Sequence, residues 1–271
     1  MPTSATLLSP WALWTGEHAL AIFLAVLGLL LAATAAVCWA LRRYAARRRQ
    51  AALIPALPQR LRAEVGVAIV LIGAGVFAAL AALIAAGGIP GWSDQAFTEV
   101  LRASVPALAL QVFAALTHLG DTNTLAALCI AIALALMAFG RRGFAVGWVV
   151  AVAGNGLLIK TLKQVFGRVR PLNTEGFVLE HGFSFPSGHS SGSVVAYGML
   201  AYLALRLLPT RWHLPCLLAT VALALTVGAS RLFLGVHFAS DVIAGFASGT
   251  AWLALCITCI EYIRWRDRQT A

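Results

Sequence analysis

Long apolar stretches, separated by short polar segments, run through the whole chain. A helix that crosses a bilayer needs about 20 mostly apolar residues. The first stretch lacks a preceding basic segment and a small-residue cleavage site, so we predict a retained helix rather than a signal peptide. The pattern predicts an all-α, polytopic transmembrane helix bundle whose spanning segments lie at roughly 18–41, 64–86, 118–139, 143–162, 190–208, 213–233 and 239–262.

The composition excludes several classes of protein. Hydrophobic residues make up 61% of the 271 residues and charged residues 11%, against roughly 45–50% and about 25% in soluble domains. So little polar side chain excludes a soluble globular domain, a disordered chain and a nucleic-acid-binding protein. We therefore predict a multi-pass membrane protein embedded in the lipid bilayer, and the sequence does not indicate an oligomeric state.

Positive charges are concentrated in alternate loops, and the net charge is +10. The positive-inside rule assigns these loops to the cytoplasm and the N-terminus to the outside. The basic linker also separates the first helix from the rest, so we predict an N-terminal transmembrane helix with a cytoplasmic linker over 1–62 and a six-helix domain over 63–271. Fourteen of the twenty cations lie on this side: Arg42, Arg43, Arg47, Arg48, Arg49, Arg60, Arg62, Arg141, Arg142, Arg206, Arg211, Arg264, Arg266 and Arg268.

The six remaining cations fall on the outer side. One of them, Arg102, lies in the predicted outer loop 87–117. A single basic side chain at a helix end can extend along the helix and place its charge among the lipid headgroups, which is what we expect of Arg168. Five cations near histidine and aspartate instead favour an anion site. These five are Lys160, Lys163, Arg168, Arg170 and Arg231.

Three outer segments carry the candidate chemistry, and the first closes the fourth predicted helix. It contains Lys163 and Arg170, followed by Pro171. A compact ammonium and a planar guanidinium together suit a phosphate with several oxygens. We expect Pro171 to stop the helix and so to leave the cations at its water-facing end.

The second segment, Phe185-Pro186-Ser187-Gly188-His189, immediately precedes the fifth predicted helix. A proline at a first helical turn leaves the following N–H groups free, and a helix N-terminus favours negative charge. Gly188 permits close approach of the backbone, and Ser187 adds a hydroxyl donor. The segment predicts a phosphate cradle beside an imidazole, whereas His189 taken alone would suit an interfacial histidine.

The third segment joins the last two predicted helices and contains Ser230, Arg231, His237 and Asp241. On a helix, residues four apart share a face, so we expect His237 and Asp241 to meet. A carboxylate that accepts a hydrogen bond from one ring nitrogen leaves the other nitrogen free to act as a nucleophile. Arg231 adds a cation for the oxygens of a phosphate. A metal site is the alternative, but the surrounding cations would disfavour a dication.

Together, Lys163-x6-Arg170-Pro171, Pro186-Ser187-Gly188-His189 and Ser230-Arg231-x5-His237-x3-Asp241 resemble the three-part signature of the type 2 phosphatidic acid phosphatase (lipid phosphate phosphatase) superfamily. The resemblance covers about 64–262 and implies a six-helix phosphatase core that needs no cofactor and no metal. It implies that His237 attacks phosphorus, Asp241 orients it, and His189 protonates the leaving oxygen and then activates water. It further implies that the phosphoryl oxygens are held by Lys163, Arg170, Ser187, Gly188 and Arg231.

Several neighbouring residues are assigned less definite roles. Lys160 suits either a second phosphate contact or a helix-end anchor. We expect His118 and Asp121 to cap the third predicted helix rather than to act in catalysis. Glu175, Glu180 and His181 suit either a gate over the pocket or a solvated loop. Four tryptophans are predicted to lie in the interfacial belt: Trp92, Trp148, Trp212 and Trp265.

The resemblance implies a metal-independent lipid phosphatase in the cytoplasmic (inner) membrane, with its active site on the periplasmic, outer face. Undecaprenyl diphosphate is the first choice of substrate because that face is where this carrier is recycled; phosphatidylglycerophosphate and phosphatidic acid are the others. A lipid A phosphatase or a lipid-to-lipid phosphotransferase would use the same fold. A non-catalytic transporter or flippase would show broken helices or charges at mid-membrane. Vanadate haloperoxidases share the signature but are soluble.

Overall fold

The computed structural model describes residues 9–50, 59–87, 91–172 and 181–270. Within these ranges the regular elements are helices, which confirms the predicted all-α class. Two 3₁₀ turns, His118–Gly120 and Thr210–Trp212, accompany them. The α-helices are α1 Pro10–Glu17, α2 Ala19–Gln50, α3 Gln59–Ala85, α4 Gly91–Ser104, α5 Ala107–Thr117, α6 Thr122–Ala138, α7 Arg142–Phe166, α8 Gly188–Leu207, α9 His213–Phe233 and α10 Ala239–Gln269.

The predicted spanning segments correspond to α2, α3 and α6–α10. Five helices of the described chain are long and apolar enough to cross a membrane: α2, α3, α7, α9 and α10. Helix α6 has 17 residues and is a shorter apolar helix. Helix α8 does not belong to this group, and its first turns are polar: residues 188–193 include three serines, two glycines and His189.

The predicted outer loop 87–117 is wrong, because α4 and α5 fill most of it. The two helices meet at an angle of 112° and form a broken span or a re-entrant pair. Pro106 accounts for the break, since the residue before a proline is pushed out of the α region and α4 therefore ends at Ser104. The pair places Asp94, in the first turn of α4, against Arg168 of the segment that follows α7.

The N-terminal helix α2 packs on the bundle through aromatic side chains. Phe23 lies 5.5 Å from the ring of Phe113 on α5 and 5.8 Å from that of Phe233 on α9. Phe113 and Phe233 stack at 4.6 Å. Leu101 and Leu110 complete this buried cluster. The N-terminal part of α2 is therefore packed against α4, α5 and α9.

The main core lies where α6, α7, α8 and α10 meet. Trp148 is fully buried there and donates its Nε1–H to the carbonyl of Cys129 at 2.9 Å. The expectation of an interfacial Trp148 is therefore wrong, because its ring fills the bundle interior. Trp212 and Trp265 are exposed as expected, and the side chain of Trp92 lies outside the described residues.

Two glycines allow α8 and α10 to approach closely. A Cβ on Gly245 would lie 2.6 Å from the carbonyl oxygen of Ser187, and one on Gly249 would lie 2.8 Å from that of Ser191. Larger residues would push the helices apart. These glycines bring the start of α8 next to the start of α10, which places the second and third sequence segments side by side.

Contacts among the basic segments place them at one end of the bundle. Arg42 donates to the carbonyl of Thr210 at 3.0 Å. The guanidinium of Arg264 lies 4.4 Å from the ring of Phe144. Arg206, near the end of α8, pairs with Glu261 on α10. The basic ends of α2, α8 and α10 and the start of α7 thus lie at one end of the bundle, and the three candidate segments lie at the opposite end.

Candidate active site

Helix α7 ends before the first pair of cations is complete. Gly167 adopts a left-handed φ of 55° and caps α7 with a bond from its N–H to the carbonyl of Lys163. Glycine takes this conformation without steric cost. The helix therefore ends at Gly167, not at Pro171 as we expected. Arg168 and Arg170 consequently lie on a non-helical segment that crosses the end of the bundle.

His237 lies in the turn between α9 and α10 and is 1% exposed. The N–H groups of Val236 and His237 both donate to the carbonyl of Arg231, at 3.1 and 3.2 Å, and thereby close the turn. Nδ1 of His237 lies 3.3 Å from Oδ2 of Asp241. The expected pair is present, although His237 precedes α10 rather than sharing a helix with Asp241.

Asp241 is fixed by the start of α10 as well as by His237. It is fully buried in the first turn of the helix, where its Oδ2 accepts the N–H of Phe238 at 3.0 Å. Its carbonyl accepts the N–H of Ser187 at 3.0 Å and joins the two helix starts. The carboxylate thus serves both as a helix cap and as a partner of the imidazole.

Two arginines act on the other side of His237. Nη1 of Arg170 lies 3.2 Å from Nε2 of His237 and also donates to the carbonyl of Val236 at 3.0 Å. Burial, together with the charges of Arg170 and Arg231, lowers the pKa of His237 to about 3, although Asp241 opposes the shift. The imidazole is therefore neutral at physiological pH, with Nε2 as an acceptor.

Arg231 is fully buried at the end of α9. Its Nη1 donates to Oγ1 of Thr117 at 2.8 Å, which ties it to the end of α5. Lys163 instead lines the open side of the site, where its Nζ donates to the carbonyl of Phe183 at 2.8 Å. The structure thus brings Lys163, Arg170 and Arg231, the three cations that were expected to hold phosphate, to the same end of the bundle.

Ser187 is the N-cap residue of α8 and is fully buried. Its Oγ accepts the N–H of Ser190 at 3.4 Å and the hydroxyl of Ser190 at 3.0 Å. Gly188 and His189 form the first turn of α8 and line the cavity. The segment therefore presents a helix N-terminus to the site, as predicted.

Arg168 contacts the site rather than the headgroups, so our expectation for this residue is wrong. Its Nη1 lies 2.6 Å from Oδ1 of Asp241 and 2.8 Å from Oγ of Ser240. Its Nη2 pairs with Asp94 on α4. The ring of Phe238 lies 4.4 Å beneath the guanidinium. The carboxylates of Asp241 and Asp94 hold this cation inward through charge-assisted hydrogen bonds.

Asp121 does not cap α6 through its side chain, although it occupies the N-cap position. Its two oxygens bond Nδ1 of His118 at 2.7 Å and Nε2 of His189 at 2.8 Å. The capping role that we expected for His118 and Asp121 is therefore wrong. One feature of the sequence could have indicated the contact between Asp121 and His189. Asp121 lies at the start of one predicted helix and His189 precedes another, and both helices begin on the same predicted side of the membrane.

A cavity of about 630 Å³ connects this polar cluster with the sides of three helices. Lys160, Lys163, Arg170, His181, Gly188, His189 and His237 line its polar end. Glu175 and Glu180 lie outside the described residues. The apolar wall is formed by Leu125, Ala126, Cys129 and Ile130 of α6, Val152, Ala153, Gly156 and Ile159 of α7, and Gly192 and Val195 of α8.

The family follows from comparison with known proteins. Residues 144–265 match the family model described as the PAP2 superfamily. Over 141 residues, the chain is 34% identical to phosphatidylglycerophosphatase B of Bacillus subtilis (strain 168), covering 51% of this chain and 69% of that protein. The chain belongs to the PAP2 superfamily. The family that the sequence resembles is thereby confirmed, and the protein is a membrane phosphatase of this superfamily.

Two further PAP2 comparisons extend the similarity. The chain is 33% identical over 186 residues to a lipid A 1-phosphatase of Rhizobium etli, covering 59% of this chain and 74% of that protein. A crystal structure of a transmembrane PAP2-type phosphatidylglycerolphosphate phosphatase from Bacillus subtilis superposes with a TM-score of 0.65 and 28% identity. That match covers 71% of this chain and 98% of the other, which confirms the transmembrane helical fold.

The residues that match the PAP2 model extend from α7 to α10 and contain all three candidate segments. Asp94 and Asp121 lie before this region. Among the residues that the structure describes, no three His, Cys, Asp or Glu side chains are grouped so that they could hold a metal ion. The charges that face a ligand at this site are instead those of lysine and arginine.

Proposed function

We propose that this protein hydrolyses the phosphate of a membrane lipid through a phosphohistidine intermediate. The observation that carries the proposal is the cavity itself. One end holds His189, His237, Lys163 and Arg170, and the other runs along apolar faces of α6, α7 and α8. A lipid phosphate has a matching polar end and apolar end, since its headgroup is anionic and its tail is apolar.

In the first step, Nε2 of His237 forms a bond to phosphorus while the bond between phosphorus and the leaving oxygen breaks. A neutral imidazole is required, and the environment of His237 supplies it by lowering its pKa. Asp241 accepts a hydrogen bond from Nδ1–H, without taking the proton, and stabilises the positive charge that develops on the ring. Arg170 donates to Nε2 in the resting site and turns to the phosphoryl oxygens when substrate arrives.

His189 gives a proton to the leaving oxygen as that bond breaks. Asp121 is bonded to its Nε2, and a neighbouring carboxylate favours the charged imidazole. In the second step, His189 takes a proton from water as the water oxygen attacks phosphorus, and the electron pair of the N–P bond returns to His237. The two histidines have opposite surroundings, which suits opposite roles.

The phosphoryl oxygens bind to Lys163, Arg170 and Arg231, with Ser187 and the Gly188 N–H at the helix start. The N-terminus of α8 supplies backbone donors and a favourable dipole. Fixed cations and donors stabilise the charge that spreads over the oxygens in the transition state. For this reason we propose that the reaction needs neither metal nor cofactor.

The lipid tail lies along the apolar wall of the cavity. Undecaprenyl diphosphate is the substrate that we propose first, followed by phosphatidylglycerophosphate and phosphatidic acid. The similarity to proteins named phosphatidylglycerophosphatase B and lipid A 1-phosphatase adds support for phosphatidylglycerophosphate and for a 1-phosphorylated lipid A. A phosphotransferase that passes the phosphoryl group to a second lipid would use the same residues, with the acceptor hydroxyl in place of water.

We place the protein in the inner (cytoplasmic) membrane with the site on the periplasmic face. The clustering of basic loops at the end of the bundle opposite the site supports this orientation. We also propose that residues 63–271 form the phosphatase domain and that residues 1–62 add a helix and a linker to it. The aromatic contacts of Phe23 attach this helix close to the site end.

Phosphate release from purified lipids tests the proposal. The protein in detergent, with EDTA present, would be given undecaprenyl diphosphate, phosphatidylglycerophosphate, phosphatidic acid and lipid A 1-phosphate in turn. We expect release from at least one lipid, inhibition by vanadate, and no release by His237→Asn. Arg211→Ala, exposed at the far end, is the matched control and should retain activity. No release from any lipid, or a loss in EDTA that magnesium restores, would contradict the proposal. Labelled phosphate recovered on an added lipid would identify a phosphotransferase.

A further inference from the structure

A separate segment of the chain holds the ring of His189. Asp121 lies between the turn His118–Gly120 and α6, and its Oδ1 is 2.8 Å from Nε2 of His189. Its Oδ2 is 2.7 Å from Nδ1 of His118. The three side chains form a row from solvent to the cavity, with exposed fractions of 66%, 35% and 13% for His118, Asp121 and His189.

The Asp121 carboxylate is committed to these two histidines. It sits at the N-cap position of α6 with extended backbone angles, yet it makes no side-chain bond to the helix. Burial alone would raise the pKa of Asp121, but bonds from His118 and His189 outweigh burial and hold it below its usual value. Asp121 is therefore negatively charged at neutral pH.

The same turn also contacts the face of the His189 ring. A Cβ on Gly120 would lie 2.9 Å from Cδ2 of His189, so the ring rests directly on the backbone at this position. The rotation of the His189 ring is thus restricted in two ways, by packing against Gly120 and by the bond from Nε2 to Asp121. Among the charged groups, those that act on Asp121 are His118 from its own turn and His189 from α8. Arg231 of α9 reaches the neighbouring Thr117.

We propose that Asp121 is the positioning residue of His189. It fixes the plane of the imidazole and stabilises the imidazolium, so that a proton is in place when the leaving oxygen departs. His118 in turn fixes the orientation of the Asp121 carboxylate. The inference rests on the proposed function, because it assumes that His189 is the acid. None of the three sequence segments that contain the expected site residues includes Asp121.

The charge of His189 can be measured without catalysis. Diethyl pyrocarbonate modifies neutral imidazoles, and mass spectrometry of peptides assigns the modification to each histidine. We expect Asp121→Asn to move the half-maximal modification of His189 to lower pH by at least about one unit, because an adjacent carboxylate favours the charged form. His181 lines the same cavity and is the internal control, whose midpoint should stay in place. An unchanged midpoint for His189, or an equal shift for both, would overturn the proposal.

A kinetic cycle tests the positioning role directly. Asp121→Asn should slow phosphoenzyme formation from an alkyl lipid phosphate about 10- to 100-fold, which is part of the roughly 10²- to 10⁴-fold that a positioned general acid contributes. With an aryl phosphate, whose leaving group needs no proton, the loss should be under about threefold. In a His189→Ala background, Asp121→Asn should cause no further loss. Additive losses in the cycle, or equal losses on both substrates, would show a merely structural residue.

The result can be separated from failure of the proposed function. A wild-type protein that releases no phosphate from any lipid phosphate would refute the function, while the modification experiment would still decide whether Asp121 sets the charge of His189. His118→Asn is the milder variant, because it removes the bond between His118 and Asp121 and leaves the bond between Asp121 and His189 in place. We expect a smaller shift of the His189 midpoint from it than from Asp121→Asn.

Discussion

Arg168 and His237 hold the carboxylate of Asp241 from opposite sides. Nη1 of Arg168 lies 2.6 Å from Oδ1, and Nδ1 of His237 lies 3.3 Å from Oδ2. Arg168 also pairs with Asp94 on α4. The orientation of His237, the nucleophile that we propose, therefore depends on a chain of charges that begins in the bent α4–α5 pair.

Replacement of Arg168 should impair both stability and the first chemical step. Arg168→Ala leaves the buried Asp241 carboxylate with fewer partners, which typically costs about 3–5 kcal/mol of unfolding free energy. Arg168→Lys keeps the charge but lacks the planar fork that presents one nitrogen to Asp241 and another to Asp94. We therefore expect a smaller loss of stability than in Arg168→Ala, together with a slower phosphoenzyme step. Thermal unfolding in detergent and rapid-quench labelling measure the two effects.

Two variants serve as controls for Arg168. Asp94→Asn removes the outer charge without touching Asp241 and should have an intermediate effect. Arg211→Ala removes an exposed arginine at the opposite end and should behave as wild type. Wild-type labelling rates in Arg168→Ala would show that Arg168 has no influence on the nucleophile.

The buried state of His237 should make the protein less stable in acid. Its pKa is lowered to about 3 in the folded protein, whereas an unfolded histidine titrates near about 6.5. The unfolded state therefore binds more protons between these values, so the unfolding free energy falls as pH drops below about 6.5. At pH 5 this contribution approaches about 2 kcal/mol.

Comparison with His237→Asn isolates this contribution, since all other titrating groups are shared. We expect the thermal midpoint of the wild type to fall more between pH 7.5 and pH 5 than that of the variant. Parallel curves for the two proteins would mean that His237 titrates normally in the folded state.

The sequence predicted the helical segments and the three clusters of site residues because both depend on local pattern. Apolar length indicates a spanning helix, and the spacing of His237 and Asp241 indicates that they meet. It did not predict the helix pair α4–α5. Helix α4 is amphipathic, so it lacks the continuous apolar stretch of a spanning helix, and a proline such as Pro106 is equally typical of a loop. Nor did it predict the contacts of Arg168 with Asp94 and Asp241, or that of Asp121 with His189, because these partners are more than 65 positions apart in the chain.

Membrane orientation can be tested with single cysteines in a cysteine-free background. Leu172 is exposed at the site end, and Ala46 is exposed on the basic extension of α2. We expect Leu172→Cys to react with an impermeant thiol reagent added outside intact cells, and Ala46→Cys to react only after the membrane is opened. The reverse pattern would place the site on the cytoplasmic face and would contradict the proposed location.

The two histidines should fail at different steps. If His237 is the nucleophile, His237→Ala abolishes both phosphoenzyme formation and turnover, because no atom is left to bond phosphorus. His189→Ala should still form phosphoenzyme from an aryl phosphate, since such a leaving group needs no proton, and should then release phosphate slowly, because water lacks its base. Asp241→Asn should be milder than His237→Ala, because Asp241 orients the ring without contacting phosphorus.

Rapid-quench labelling with a radiolabelled aryl phosphate separates these outcomes. Burial and the charges of Arg170 and Arg231 keep the imidazole of His237 neutral by lowering its pKa, whereas the Asp121 carboxylate bonds to Nε2 of His189. Both observations favour this assignment. Label that accumulates in His189→Ala and is absent from His237→Ala would support it. Label that accumulates in His237→Ala and is absent from His189→Ala would mean that the roles are reversed, and the bond between Asp121 and His189 would then orient the nucleophile instead.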